Sequence, residues 1–172
     1  IVNISTFVQC CAYSTGQAAQ PILSMNYGAG LGGRIRGVLR CALAAVAFFS
    51  LAWTALTLAV PKGFIQIFMA PTAAVLAIAP AIFRCYCLSF LLLPLNIFST
   101  YYFQALMKPG AAFFVSVSRG LVISGILIHL LPAAFGPDAL WLAMPVTELL
   151  VAIPVVFLMR RIDRSLPEAG AT

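Results

Sequence analysis

The chain has 172 residues, of which 63% are hydrophobic and only 8% charged, whereas soluble domains carry about 25% charged residues; a soluble globular domain is excluded and a multi-spanning membrane protein is indicated. The net charge of +6 comes from lysines and arginines set mostly at the ends of apolar runs, with no aromatic-interleaved basic patch, which points to membrane topology and excludes nucleic acid as a partner. At roughly 20 residues per span, about five transmembrane helices fit, an all-α bundle over residues 1–162 with a short cytoplasmic tail at 163–172.

The first predicted span, 2–27, carries Tyr13, Gln17, Gln20, Ser24 and Tyr27 at spacings of three and four, which places them on one helical face. Polar groups at that depth face a bundle interior or a water-filled path. Pro21 has no N–H to give the carbonyl of Gln17, so a kink and a free carbonyl are expected on the polar face. Two readings stand side by side: a cavity lining, or a helix–helix contact held by glutamine hydrogen bonds. Residues 28–33 match G-x-G-x-x-G, but a dinucleotide fingerprint needs a preceding strand and a βαβ unit, and here the glycines join two apolar helices. They read as a flexible turn leading to Arg34, Arg36 and Arg40.

The second predicted span, 41–60, has no charge and ends at Pro61 and Lys62. Residues 64–70 read as an interfacial segment, with a helix entering near Pro71. The third span, 72–107, is longer than a bilayer requires and is expected to bend at Pro80 and Pro94, the latter freeing the carbonyl of Phe90. Asn96, Thr100 and Gln104 are spaced by four and form a second polar stripe. Lys108, Pro109 and Gly110 make a tight turn before the fourth span, 112–131, where Arg119 is near enough to the basic end to snorkel. His129 stands alone near the other end, as an interfacial or hydrogen-bonded residue rather than a pH sensor. An outer loop at 132–138 precedes the last span, 139–159, which Arg160, Arg161 and Arg164 stop.

Alternating these spans puts Arg34, Arg36, Arg40, Lys108, Arg160, Arg161 and Arg164 on one side, and of the basic loop residues only Lys62 on the other. The rich side is expected to be cytoplasmic, with the C-terminus there. Glu148 is the only acid inside a span, one heptad after Trp141. A charged side chain at a helix centre costs about 2.5–3.5 kcal/mol on insertion scales, so this carboxyl must be paired, hydrated or protonated. It is either a coupling site for protons or sodium, or a protonated acid bonded to a neighbouring helix or to the carbonyl of Trp141, freed by Pro145. The five cysteines form no C-x-x-C pair and read as small apolar residues. With no nucleophile–base pair, carboxylate pair or metal cluster in the pattern, no catalytic residue, metal or cofactor is assigned and no enzyme is expected. The chain starts at Ile1, close to a helix start, and shows no signal-peptide pattern, so it reads as a fragment lacking an N-terminal part.

Gly16, Ala19, Gln20, Pro21, Asn26, Tyr27, Gly28 and Ala29, followed by arginines, resemble in order the eighth helix of multidrug and toxic compound extrusion (MATE) transporters. Arg84, early in the third span, and Tyr102-Phe103-Gln104-Ala105 at its end are similar to the tenth helix of that family; Ser116-Val117-Ser118-Arg119 is similar to an S-x-x-R element of the eleventh. The outer loop also resembles the F-G turn found there, and the likeness covers nearly the whole chain. It implies helices eight to twelve of a twelve-helix secondary antiporter, whose partner is the N-terminal lobe of the same protein. By the same resemblance, that antiporter sits in the inner membrane, among membrane lipid, and exports small amphipathic cations against an inward flux of protons or sodium. Cavity polarity would come from Gln17, Gln20, Tyr27, Asn96 and Gln104, with Tyr101 adding cation–π contacts, Pro21 and Pro94 as kinks, and Glu148 as the ion-coupling candidate. No acid lies between Cys85 and Met107, a departure from members that carry an aspartate in the tenth helix, and the second-lobe sodium site of those members is not carried over. Two alternatives remain: a lipid-linked saccharide flippase of the same superfamily, which needs a more cationic cavity for phosphates, and a non-transporting membrane subunit whose polar stripes are packing contacts.

Overall fold

In a computed structural model of the chain, residues 2–61, 63, 64 and 72–167 are described. The expected interfacial segment beyond Phe64, Lys62, Pro71 and the end of the tail lie outside the described residues. Among the described residues there are seven α-helices: α1 (Val2–Gly28), α2 (Gly32–Ala59), α3 (Ala73–Cys87), α4 (Leu93–Ala105), α5 (Pro109–Val117), α6 (Ser124–Phe135) and α7 (Ala143–Ser165). They stack into longer rods, because α3 continues into α4 through a 3₁₀ turn at Leu88–Leu91, and α5 continues into α6 through a π-helical segment at Ser118–Ile123. Among the described residues four rods, Gly32–Ala59, Ile78–Ala105, Pro109–Phe135 and Pro137–Ser165, are long and apolar enough to cross a membrane. With the more polar 27-residue α1, they make an all-α polytopic bundle.

Helix bounds depart from the expected spans at several glycine and proline positions. The turn after α1 is confined to three residues, with Gly30 at φ +69° and α2 already helical from Gly32, so Arg34, Arg36 and Arg40 lie in its first turns rather than in a loop. Gly32 is required by packing: a Cβ there would overlap the carbonyl oxygen of Pro167. In the rod Ile78–Ala105 the irregularity falls at 88–92, and Pro94 sits in the first turn of α4, where its missing N–H costs nothing. Pro80 and Pro21 are carried inside α3 and α1. The rod from Pro109 extends through Pro132 to Phe135, Gly136 turns the chain at φ +91°, and α7 runs on through Ser165.

α4 is the central helix. Leu93, Asn96, Ile97, Phe98, Tyr102 and Phe103 are all buried, on every side of the helix, as expected of an element packed all round. It meets α1, α2, α5 and α7. One apolar cluster joins Leu23, Ile35, Phe98, Tyr102, Val115 and Val155, and a second joins Ile4, Val8, Phe83, Phe90, Leu93 and Ile97. The outer surface is itself apolar: Phe48, Leu51, Phe113, Leu121, Ile153 and Phe157 are all exposed, which suits a lipid solvent and would be ruinous in water.

Candidate functional site

Two polar constellations stand out against this background. The first is buried. Glu148, on the second turn of α7, has no exposed surface. Its Oε1 accepts from Nε of Arg119 at 2.7 Å, and its Oε2 accepts from Nδ2 of Asn96 at 2.7 Å. The same Asn96 amide also donates to the backbone carbonyl of Glu148 at 2.9 Å, while Asn96 Oδ1 has no partner among the described residues. The carboxyl is thus paired, by a charge-assisted contact, with Arg119 and Asn96 in place of the expected carbonyl of Trp141. Arg119, expected to snorkel to the basic end, turns inward instead, with 20% of its side chain exposed. It stands in the π-helical segment, whose wider turn resets the register between α5 and α6; such bulges recur at functional sites. Sequence reasoning missed this partnership, although a single acid and only two arginines, Arg84 and Arg119, inside the predicted spans were the available signal.

The second constellation is a surface stripe along α1 and the end of α4. Gln20 Nε2 approaches Gln104 Oε1 at 3.4 Å, a long contact, and Gln104 and Gln17 are exposed. Farther along α1, Tyr13 Oη donates to Gln9 Oε1 at 3.2 Å and Gln9 Nε2 donates to Ser5 Oγ at 3.1 Å, which extends the stripe by two turns. The spacing 5, 9, 13 was the signal for Gln9. Tyr101 meets the Tyr13 ring edge-on, with centroids 6.4 Å apart. Its ring lies so close to Gly16 that a Cβ at that glycine would overlap it. Three further polar residues of α1 bond within the helix: the hydroxyls of Thr15 and Ser24 and the amide of Asn26 donate to the carbonyls of Cys11, Gln20 and Ile22.

The structure therefore divides the six expected cavity residues. Gln17, Gln20, Gln104 and Tyr101 share one face. Tyr27 is half-buried against the larger apolar cluster. Asn96 is fully buried on Glu148, and Thr100 bonds to the carbonyl of Ile97, so the 96–100–104 stripe does not line a single surface.

Among solved structures, the chain is similar to a protein described as a multidrug resistance MATE family transporter of the MOP superfamily in an outward-facing conformation. The TM-score is 0.86 at 14% sequence identity, over 95% of this chain and 37% of that one. The two share their fold, and the chain spans little more than a third of the length of that transporter. No family model matches the sequence, and no curated protein matches it.

Proposed function

We infer that the chain forms most of one lobe of a secondary antiporter of the inner membrane, which exports amphipathic cations against an inward flux of protons or sodium. The observation that carries this reading is the stripe of Gln17, Gln20, Gln104, Tyr13 and Tyr101, open on a bundle whose other outward residues are largely apolar. Amide groups cannot face lipid without losing several kcal/mol each. The stripe belongs against water, shared with a second lobe of the same protein, as the MATE-like architecture suggests. Substrate would sit in that shared space. Two tyrosine rings offer faces to a cation, the glutamines offer orientable dipoles, and no fixed positive charge of this stripe repels the ligand. Alternating access then follows from rocking one lobe against the other.

Glu148 is the candidate coupling carboxylate, and its counter-ion is already in place. A proton or sodium ion would act by exchange: it takes the carboxylate oxygen that Arg119 holds, and the partly exposed guanidinium swings toward water. The same pair speaks against the flippase alternative. Arg119 is neutralised by Glu148 and is not free to hold a lipid-linked phosphate.

The test follows extrusion of a fluorescent cation such as ethidium from an efflux-deficient bacterium expressing the intact protein, with and without a protonophore and with and without sodium. Energy-dependent extrusion supports the antiporter; no extrusion by protein verified in the membrane overturns it. Glu148→Gln in the same assay is expected to abolish the ion dependence, and an ion response identical to wild type would remove Glu148 from the coupling step.

A further inference from the structure

At the basic end of the bundle, α2 and α7 part to leave a cleft of about 340 Å³. Its rim holds Arg36, Arg40, Arg160 and Asp163, and its floor is apolar, with Leu39, Leu43 and Val156. The rim charges are not equivalent. Arg36 is committed: its Nε lies 3.4 Å from Asp163 Oδ1, and its Nη2 donates to the carbonyls of Asp163 and Leu166 at 3.1 and 3.2 Å, closing the C-terminus of α7. Arg40 and Arg160 have no carboxylate partner among the described residues, and both are exposed. Once Arg36 and Asp163 cancel, two unpaired guanidinium groups remain at the mouth of an apolar cleft.

Below that mouth both helices continue the apolar character outward. On α2, Phe48 and Leu51 are 67% and 62% exposed; on α7, Phe157 and Ile153 are 66% and 64% exposed. Phe48 and Leu51 lie eight and eleven residues after Arg40, and Phe157 and Ile153 three and seven before Arg160, so helical spacing sets them under the arginines. A ligand matching this surface has an anionic head and two long apolar tails. We propose that the cleft binds an anionic phospholipid of the surrounding bilayer, with its phosphate between Arg40 and Arg160 and its acyl chains on the cleft floor and the two exposed stripes. Basic pockets between transmembrane helices take such headgroups, and two guanidinium forks suit a phosphate better than lysines would.

The test uses the intact protein in detergent and native mass spectrometry, titrating phosphatidylglycerol or phosphatidylcholine. An arginine in direct contact with the phosphate is taken to contribute about a fivefold gain in anionic-lipid binding. The pair Arg40→Gln/Arg160→Gln is expected to weaken retention of phosphatidylglycerol by roughly twenty-fivefold. The charge-matched pair Arg34→Gln/Arg164→Gln, at the same end but lining no part of this cleft, is expected to retain it nearly as wild type does. Equal loss in both pairs means diffuse surface charge and overturns the site. Equal retention of phosphatidylcholine by the wild type overturns the headgroup recognition. Complete displacement by millimolar inorganic phosphate assigns the cleft to a free anion and overturns the lipid. Thermal midpoints of both pairs, expected to be unchanged in lipid-free detergent, separate lost binding from lost folding.

Discussion

At the residue scale, the pair Arg119–Glu148 has the highest stakes, because the two ends are buried unequally. Glu148 is fully enclosed and Arg119 keeps 20% of its side chain exposed. Removing one partner of a buried pair costs about 3–5 kcal/mol when the other charge is left uncompensated. Arg119→Gln leaves the enclosed carboxylate and is expected near that figure, whereas Glu148→Gln leaves an arginine that can reach water and is expected to cost clearly less. Thermal inactivation of the two variants in detergent checks the order, and equal losses would contradict the burial. A second contrast concerns glycine. Gly16→Ala pushes a methyl into the Tyr101 ring, while Gly125→Ala in α6 meets open space. Overpacking costs about 1–3 kcal/mol; alanine in a free helical position gains up to about 1 kcal/mol over glycine. The first variant is expected to lower the midpoint and the second to hold or raise it.

At the scale of elements, the π-helical segment Ser118–Ile123 sets where Arg119 points. A π-helical turn holds one residue more than an α-helical turn, so one residue fewer lets it close to ordinary helix with α5 and α6 left in place, and shifts the residues inside the turn. Deleting Gly120, next to Arg119, is therefore expected to move Arg119 off Glu148 and to cost as much stability as Arg119→Gln; a deletion that leaves the midpoint unchanged would show that the wide turn does not set where Arg119 points. The α1–α4 stripe has its own test. In a cysteine-free version of the intact protein, Gln17→Cys and Gln104→Cys are expected to react with a membrane-impermeant maleimide and Leu23→Cys, which is fully buried, is not. Unreactive cysteines at both glutamine positions would make the stripe a packing seam and favour the non-transporting subunit.

At the scale of the whole molecule, the basic residues gather at one end. Arg36, Arg40, Arg160 and Asp163 share a cleft, and Lys108 and Arg161 line a second cleft against α7, so the start of α2, the turn before α5 and the end of α7 stand together. If the positive-inside bias governs insertion, a C-terminal green fluorescent protein fusion in a bacterial host fluoresces and a C-terminal alkaline phosphatase fusion is inactive. The opposite pair of results would invert the bundle and place the lipid cleft at the outer leaflet.

What the sequence determined by itself was whatever depends on composition and local spacing. Few charges and long apolar runs dictate helices, since a bilayer leaves backbone groups no other way to be satisfied. Threefold and fourfold spacing put Gln17, Gln20 and Tyr13 on one face, and lysines and arginines marked the span ends. What only the tertiary structure decided was which polar groups meet across helices. Asn96 lies one helical step from the exposed stripe in any pattern count, yet it turns inward because Glu148, 52 residues away, accepts from it. Arg119 turns inward for the same reason, in a π-helical turn that no periodicity announced. Glycine and proline misled at two boundaries, since Gly32, read as part of a turn, already opens α2, and Pro132, read as the start of a loop, is carried inside α6. Packing against neighbours outweighs the roughly 1 kcal/mol that a helical glycine loses, and neighbouring groups can satisfy the carbonyl that a proline frees.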